Sequence, residues 1–490
     1  MANLSERRQE VLVRRELREA TAFRPLADQA FSRAAGAPLI SGNRVRLLKD
    51  AAENYPAWLE AIGQARRHIH FESYILHEDT VGRQFADALI SRAQAGVRVR
   101  LIYDWLGGLG KSSAGFWSRL REGGVEVRCF NPPHLDAPLG WLSRDHRKML
   151  AVDGEVGFVT GLCVGQMWVG DPQRGLAPWR DTGVEIRGPA VAEIERAFAN
   201  VWEMTGEPIP EEETLVAPLI GPVGTVSLRI VASAPATSGM FRLDQMVTAL
   251  ARHRVWLSDA YYAGAAPYVQ ALRAAAKEGV DVRLLVPSAT DLPLLQPLSR
   301  AGYRPLLEAG IRIFEWNGTM MHAKTAVVDG RWARVGSTNL NLASWLGNCE
   351  LDAVIEDEPF AQQMEAQYLQ DLEGSTEIVL SERRRLKRPR RPAEGASASG
   401  GAGAVRAAAG AVRIGHALGA AFTNHRVLEP VEARLMVMTG LVLLALGALF
   451  AFIPWLLIYP LLVVLGWVAL AFLYRGIRLY RQGRRSAERS

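Results

Sequence analysis

The sequence predicts an α/β fold built from two similar halves, a pseudo-dimer with mixed, mostly parallel sheets, followed by a C-terminal helical membrane hairpin. Three observations carry this expectation. A strand–helix–strand pattern occurs twice, each copy closes on the same His-x-Lys spacing, and residues 435–474 contain no charged side chain. At 490 residues the chain exceeds what one ordinary core supports, so several compact units are expected.

The first copy opens at Ala65-Arg-Arg-His-Ile-His-Phe-Glu-Ser-Tyr74, continues through Phe85–Gly96 and reaches Val97–Asp104. The second runs Ala251–Tyr261, Tyr268–Gly279 and Val280–Pro287, and each copy then adds a further helix, Gly stop and strand, closing at Leu120–Phe130 and Leu307–Phe314. Apolar residues at helical spacing, such as Phe85, Leu89 and Ala93, mark the helices. Glycine follows each helix because it accepts the left-handed cap at least cost. Strands alternating with helices imply a largely parallel sheet with helices on both faces. The expected division is 1–40 N-terminal helical segment, 41–215 first half, 216–377 second half, 378–432 basic, Ala/Gly-rich linker, 433–476 membrane hairpin and 477–490 basic tail.

Each copy ends on H-x-K-x4-D: His146, Lys148 and Asp153 in the first, His322, Lys324 and Asp329 in the second, with glycine after each Asp. On a strand, His and Lys two apart point to one face and reach one ligand, and Asp-Gly makes the following turn. A neutral imidazole is nucleophilic near pH 7, and a second one can protonate a departing alcohol and deprotonate an incoming one. The lysines supply fixed positive charge for phosphate oxygens. No metal or other cofactor is required. Ser337 and Asn339, inside Gly336-Ser-Thr-Asn339, are candidate phosphate donors. Asp181 and Glu350 each precede a strand-like run and are candidates to orient the imidazoles, with ordinary surface acids the alternative.

By these residues the chain resembles the phospholipase D superfamily, and more narrowly the bacterial cardiolipin synthases, over about Gly42 to Gln370. The likeness rests on Gly42-Asn43, Phe71-Glu-Ser-Tyr74, both H-x-K-x4-D motifs, Gly336-Ser-Thr-Asn339 and Asn348-Cys-Glu350. It implies a covalent phosphatidyl-histidine, with the first-half His146 as the nucleophile. One departure weakens that assignment: Thr160-Gly-Leu-Cys163 stands where relatives carry Gly-Gly-x-Asn, so a thiol replaces an amide donor.

The formal charge of +6 is concentrated in the tail, where Arg383–Arg391 holds seven cations in nine positions. The globular part is therefore close to neutral, and no nucleic-acid partner is expected. The basic run beside an apolar segment is expected to meet anionic lipid, and Val405–Phe422 reads as a short interfacial helix. Leu435–Ile453 is long enough to span, at roughly 28 Å, and Pro454 and Pro460 turn the chain into a return arm ending at Tyr474. Arginines at both ends place them, and the catalytic part, on the cytoplasmic side of a bacterial inner membrane. Met1–Ala20 lacks a signal-peptide core and reads as an exposed helix. Cys129, Cys163 and Cys349 form neither a CxxC pair nor a zinc spacing. The expected activity joins two phosphatidylglycerol molecules, or a related lipid pair, into cardiolipin. Hydrolysis or transfer to other alcohols is the alternative, with a nuclease or a non-catalytic scaffold behind it. The oligomeric state is not readable.

Overall fold

The computed structural model describes residues 28–133, 143–210, 213, 220–291 and 299–380, a strand at 425–428 and scattered positions between 441 and 473. The expected exposed helix at Met1–Ala20, loop residues 134–142, the arginine-rich run and the interfacial helix at 405–422 lie outside the described residues. So does half of the membrane hairpin. Among the described residues, no helix is long and apolar enough to cross a membrane.

In the first half the strands are β1 (Ile40–Lys49), β2 (His68–Ser73), β3 (Arg98–Asp104), β4 (Glu126–Phe130), β5 (Lys148–Val152), β6 (Val156–Thr160) and β7 (Thr182–Arg187). The second half supplies β8 (Val226–Ser233), β9 (Arg254–Ser258), β10 (Asp281–Pro287), β11 (Arg312–Trp316), β12 (Thr325–Val328), β13 (Trp332–Gly336) and β14 (Glu350–Glu356), then β15 (Ser375–Leu380). The strand order β4-β3-β2-β5-β6-β7-β1 meets its mirror image β8-β14-β13-β12-β9-β10-β11, joined by the β1–β8 pair. Gly42 and Asn43 lie within β1 at this junction, where the Asn43 side-chain Oδ1 accepts from the Ala190 N–H at 2.9 Å.

The pairing corrects the expectation of mostly parallel sheets. Parallel pairs are confined to β2–β3–β4, β9–β10–β11 and the outer pair of β15 with His425–Leu428. Every other pairing between the described strands is antiparallel, with isolated parallel bridges at Leu76–Val164, Asp145–Cys349 and Arg180–Met321. The reason is the connection length. A parallel neighbour needs a helical crossover, and only within each three-strand unit does such a crossover join strands that lie side by side. The Asp153-Gly154 and Asp329-Gly330 turns fold their flanking strands directly back. All four residues have positive φ (57°, 69°, 52° and 63°), the backbone twist that suits a two-residue hairpin.

Seven longer helices cover the sheets: α1 (Asp50–Gln64), α2 (Thr80–Gln94), α3 (Ala114–Glu122), α4 (Val191–Met204), α5 (Gly239–Leu250), α6 (Ala266–Lys277) and α7 (Glu358–Glu373). Side-chain caps start three of them, α7 included, where the Asp357 carboxylate accepts from the Phe360 N–H. The Asp79 carboxylate accepts from the Gly82 N–H, and the Ser113 hydroxyl from the Phe116 N–H. Three apolar cores result. One lies outside the first sheet around Trp58, Phe71 and Phe85, and one outside the second around Leu243, Tyr268 and Leu284. The third fills the space between the halves, with Phe198 and Trp202 of α4 and Met364 and Tyr368 of α7 packed on residues of both sheets. This shared core fixes the two halves against each other, so side chains from both can form one site.

Candidate active site

His146 and His322 sit on matched segments that reach across the junction. The His146 N–H donates to the Cys349 carbonyl at 2.9 Å, and the Cys349 N–H to the Arg144 carbonyl at 2.8 Å. In the other direction the His322 N–H donates to the Arg180 carbonyl at 2.7 Å, and the Arg180 N–H to the Met320 carbonyl at 2.8 Å. Each histidine therefore stands beside the chain that carries the other half's carboxylate.

The carboxylates are exchanged accordingly. His146 Nδ1 lies 2.9 Å from Oε2 and 3.1 Å from Oε1 of Glu350, and His322 Nδ1 lies 2.7 Å from Oδ2 of Asp181. A carboxylate only accepts, so each Nδ1 carries the proton and each Nε2 keeps its lone pair. Both acids are fully buried. Burial alone would raise them. The facing imidazoles and the nearby lysines outweigh it and hold both below the usual carboxylate range.

Charge also shows that the half-sites meet. Burial is the main force lowering the proton affinity of His146, opposed by Glu350 and reinforced by Lys148 and, from the other half, Lys324. His322 falls to about 4, through burial and Lys324 first, with Lys148 adding to it. Lys324 itself drops to about 8, chiefly by burial, with Lys148 contributing. Its ammonium lies 3.0 Å from each ring nitrogen of His322, and it donates to the His322 carbonyl as Lys148 does to that of His146. In this arrangement both imidazoles are neutral, beside two cations placed to receive an anion.

The remaining expected site residues divide. Asp153 and Asp329 are not brought to the imidazoles. The Asp153 carboxylate accepts from the backbone N–H groups of Arg66, Arg67 and His68, at 2.7, 2.7 and 2.9 Å. Asp329 does the same for Arg252, His253 and Arg254, at 2.8 Å each. Four strand residues separate each Asp from its lysine, about 16 Å from one Cα to the other at strand rise. These acids pin the far end of each hairpin to the start of β2 or β9. Ser337 is fully buried, accepts from the Leu351 N–H at 2.9 Å and hydrogen-bonds Glu350, so its hydroxyl steadies the carboxylate. The Asn339 amide donates to Ser344 at 3.5 Å, and its buried oxygen has no partner. Cys163 is buried, and burial raises its thiol, so it faces Lys148 and Lys324 uncharged.

Other contributors have no role assigned by the motifs, although Tyr74 and Arg147 lie within them. The Trp168 indole N–H donates to Oδ2 of Asp181 at 3.2 Å, and its ring packs edge-on against His322 with centroids 5.6 Å apart. Trp179 and Tyr261 complete an aromatic wall around His322, at 5.5 and 5.9 Å, whereas His146 meets Tyr74 at 5.0 Å. Arg180 is buried between Asp371 and Asp50, and Arg147 donates to the carbonyls of Glu350, Ala197 and Ser233. Single aromatics and arginines far apart in the chain leave no pattern in a sequence. A cleft beside Tyr261 is lined by Tyr262, Val286, Pro287, Thr290 and Tyr303.

Among the described residues, His68, His70 and Glu195 form a buried group whose ligand atoms lie within 4.8 Å of one another. Glu195 hydrogen-bonds both rings, and His70 stacks on Phe198 at 4.5 Å. The second half places the Arg254–Glu365 ion pair, at 3.1 Å, and the Trp256–Tyr368 stack at the corresponding positions. The group therefore ties α4 to β2 as Arg254–Glu365 ties α7 to β9.

Comparison with known proteins matches residues 58–202 and 247–372 to a family described as cardiolipin synthase, PLD-like domain. The chain belongs to that family. A cardiolipin synthase of Alkalihalophilus pseudofirmus is 35% identical over 352 residues, covering 70% of this chain and 69% of that one. Cardiolipin synthase A of Pseudomonas aeruginosa is 35% identical over 370 residues, covering 74% and 73%. The fold also resembles the crystal structure of phosphatidylserine synthase from Haemophilus influenzae, with a TM-score of 0.57 at 13% identity over 71% of this chain and 92% of that one.

Proposed function

We infer that the protein is a phosphatidyltransferase of the phospholipase D type that makes cardiolipin from two phosphatidylglycerol molecules. The observation that carries this reading is the exchange of carboxylates. Two neutral imidazoles, each held by an acid from the other half, share one pair of lysines. Family membership supports the lipid substrate.

In the proposed sequence, Nε2 of His146 attacks phosphorus and the bond to the departing glycerol oxygen breaks. That oxygen takes a proton from His322, and a phosphatidyl-histidine remains. The resting His322 is neutral, so it must gain this proton once substrate is bound. The phosphodiester anion lets it take that proton from solvent by offsetting Lys148 and Lys324, which in the empty site drive the proton off. The hydroxyl of a second phosphatidylglycerol then gives its proton to His322 and attacks phosphorus, releasing His146. Asn339 donates to the phosphate, and Cys163 contributes no comparable donor.

We place residues 433–476 in the bacterial cell membrane as a hairpin, with the catalytic halves on the cytoplasmic side and the arginine-rich run against anionic headgroups. Supporting this, the described positions of the segment present bare apolar side chains, among them Leu444 at 71% and Phe452 at 87% exposure. Purified full-length protein incubated with phosphatidylglycerol alone is expected to yield cardiolipin and glycerol by mass spectrometry. Phosphatidic acid without cardiolipin would replace transfer by hydrolysis.

A further inference from the structure

Beneath His146 lie two acids that the reaction above does not use. Glu72, on β2, and Asp145, immediately before His146, are both fully buried. Neither oxygen of the Glu72 carboxylate has a hydrogen-bond partner, nor does Oδ2 of Asp145. The other Asp145 oxygen receives only a long contact, 3.4 Å, from the Arg147 N–H. Three orphaned carboxylate oxygens in one dry place are costly if both acids are ionised. The two side chains are nonetheless within hydrogen-bonding reach of each other. One proton between them turns a repulsion into an O–H···O bond and leaves a single negative charge.

That single charge has a counterpart. The guanidinium of Arg147 is buried and donates to three backbone carbonyls, with no carboxylate among its direct partners. It acts on both acids through space. Lys148 also faces Glu72, Asp104 faces Asp145, and the Cys349 thiol and Glu350 lie on the strand across from them. Burial pushes both acids up, and Asp145 is pushed further by Glu72 itself.

The second half provides an internal control. Glu72 of β2 pairs with Met149, the residue after Lys148, and Ser258 of β9 pairs with Thr325, the residue after Lys324, so the counterpart of Glu72 is Ser258. The residue before His322 is Met321, fully buried and apolar. The acid pair is therefore peculiar to the half that carries His146.

We propose that Glu72 and Asp145 share one proton and act as a positioning pair for His146. Their hydrogen bond ties the residue before His146 to β2, while the bridge to Cys349 ties it to the other half. The imidazole that attacks phosphorus is thus held from both sides, and His322 is steadied by its aromatic wall instead. This role rests on the reading of His146 as the nucleophile, but the shared proton does not.

The test uses purified full-length protein in a detergent free of ester groups. In the infrared difference spectrum between wild type and Glu72→Gln, a protonated-carboxyl stretch that shifts in D2O is expected only in the wild type, because the Gln amide donates where the proton sat. No such band would overturn the shared proton. For the positioning role, Glu72→Leu is expected to lower kcat on phosphatidylglycerol roughly tenfold to a hundredfold with KM little changed. Glu72→Gln should recover most of that loss. Asp145→Ala is the second variant if Glu72→Leu does not fold. Unchanged kcat in the folded variant, or a Glu72→Gln that behaves like Glu72→Leu, would overturn positioning. Wild type that makes no cardiolipin refutes the lipid reading instead, and the infrared band decides the pair independently.

Discussion

Replacing Glu350 by Gln changes almost nothing in shape and should nearly abolish turnover. The carboxylate sits with Oε1 3.3 Å from the Asn348 amide nitrogen and Oε2 2.9 Å from His146 Nδ1. The Asn348 N–H2 needs an oxygen in front of it, so the Gln amide orients its own NH2 toward His146. Nδ1 must then accept, the ring proton moves to Nε2, and the attacking lone pair is lost. Recovering the productive tautomer forfeits a charge-assisted hydrogen bond and sets two donors face to face. Together these cost roughly 3–6 kcal/mol, or roughly 10²–10⁴ in rate. The assay is single-turnover release of glycerol from phosphatidylglycerol, with the melting temperature as a check on folding. Release within threefold of wild type by a normally folded variant would refute the claim that Glu350 sets the tautomer of His146.

Asp181→Asn should differ, losing activity and also lowering Tm. Its Oδ1 accepts from the Thr182 N–H at 2.9 Å and its Oδ2 from the Trp168 indole at 3.2 Å, so either amide orientation buries a donor against a donor. Asp153→Asn and Asp329→Asn should lower Tm by weakening the caps on β2 and β9, at roughly 1–2 kcal/mol each, while folded protein keeps kcat within about threefold; a selective collapse of kcat would return these acids to the chemistry. Backbone donors hold both carboxyls below their ordinary range, against burial that would raise them. The stability they give is therefore present above the unfolded value, about 4, and is lost as pH falls through the depressed one. Thermal melts as a function of pH should show this acid loss reduced in either Asn variant. Free-enzyme kcat/KM should fall as pH rises through about 8, where Lys324 loses its charge, and Lys324→Arg should remove that limb.

The duplicated H-x-K spacing was enough to find the histidines and lysines, because period-two geometry leaves them little choice of face. Asp181 and Glu350 were also legible, from their matched places at the starts of β7 and β14. What the sequence could not convey is that each serves the histidine of the opposite half, since that depends on the shared core between the sheets. The same motif misleads at its last position. Asp153 and Asp329 recur in both copies because each hairpin needs a turn residue tolerant of positive φ and an acceptor for three backbone donors. The strand directions were misjudged for a related reason, as the helical crossovers within β2–β3–β4 were extended to strands joined by tight turns. Trp168 and the Glu72–Asp145 pair went unseen because their meaning lies in contacts, namely an indole on a carboxylate and two acids facing each other in the dark of the core.

The claim on which everything else depends is that His146 and His322 work on one phosphoryl group, with His146 forming the bond to phosphorus. It is tested most directly by quenching a reaction with phosphatidylglycerol in alkali, which preserves phosphohistidine, and mapping the adduct by peptide mass spectrometry. A phosphatidyl group on His146, accumulating in wild type and absent from His146→Ala, is the expected result. Cardiolipin formed with no adduct on His146, or with the adduct on another residue, would contradict it.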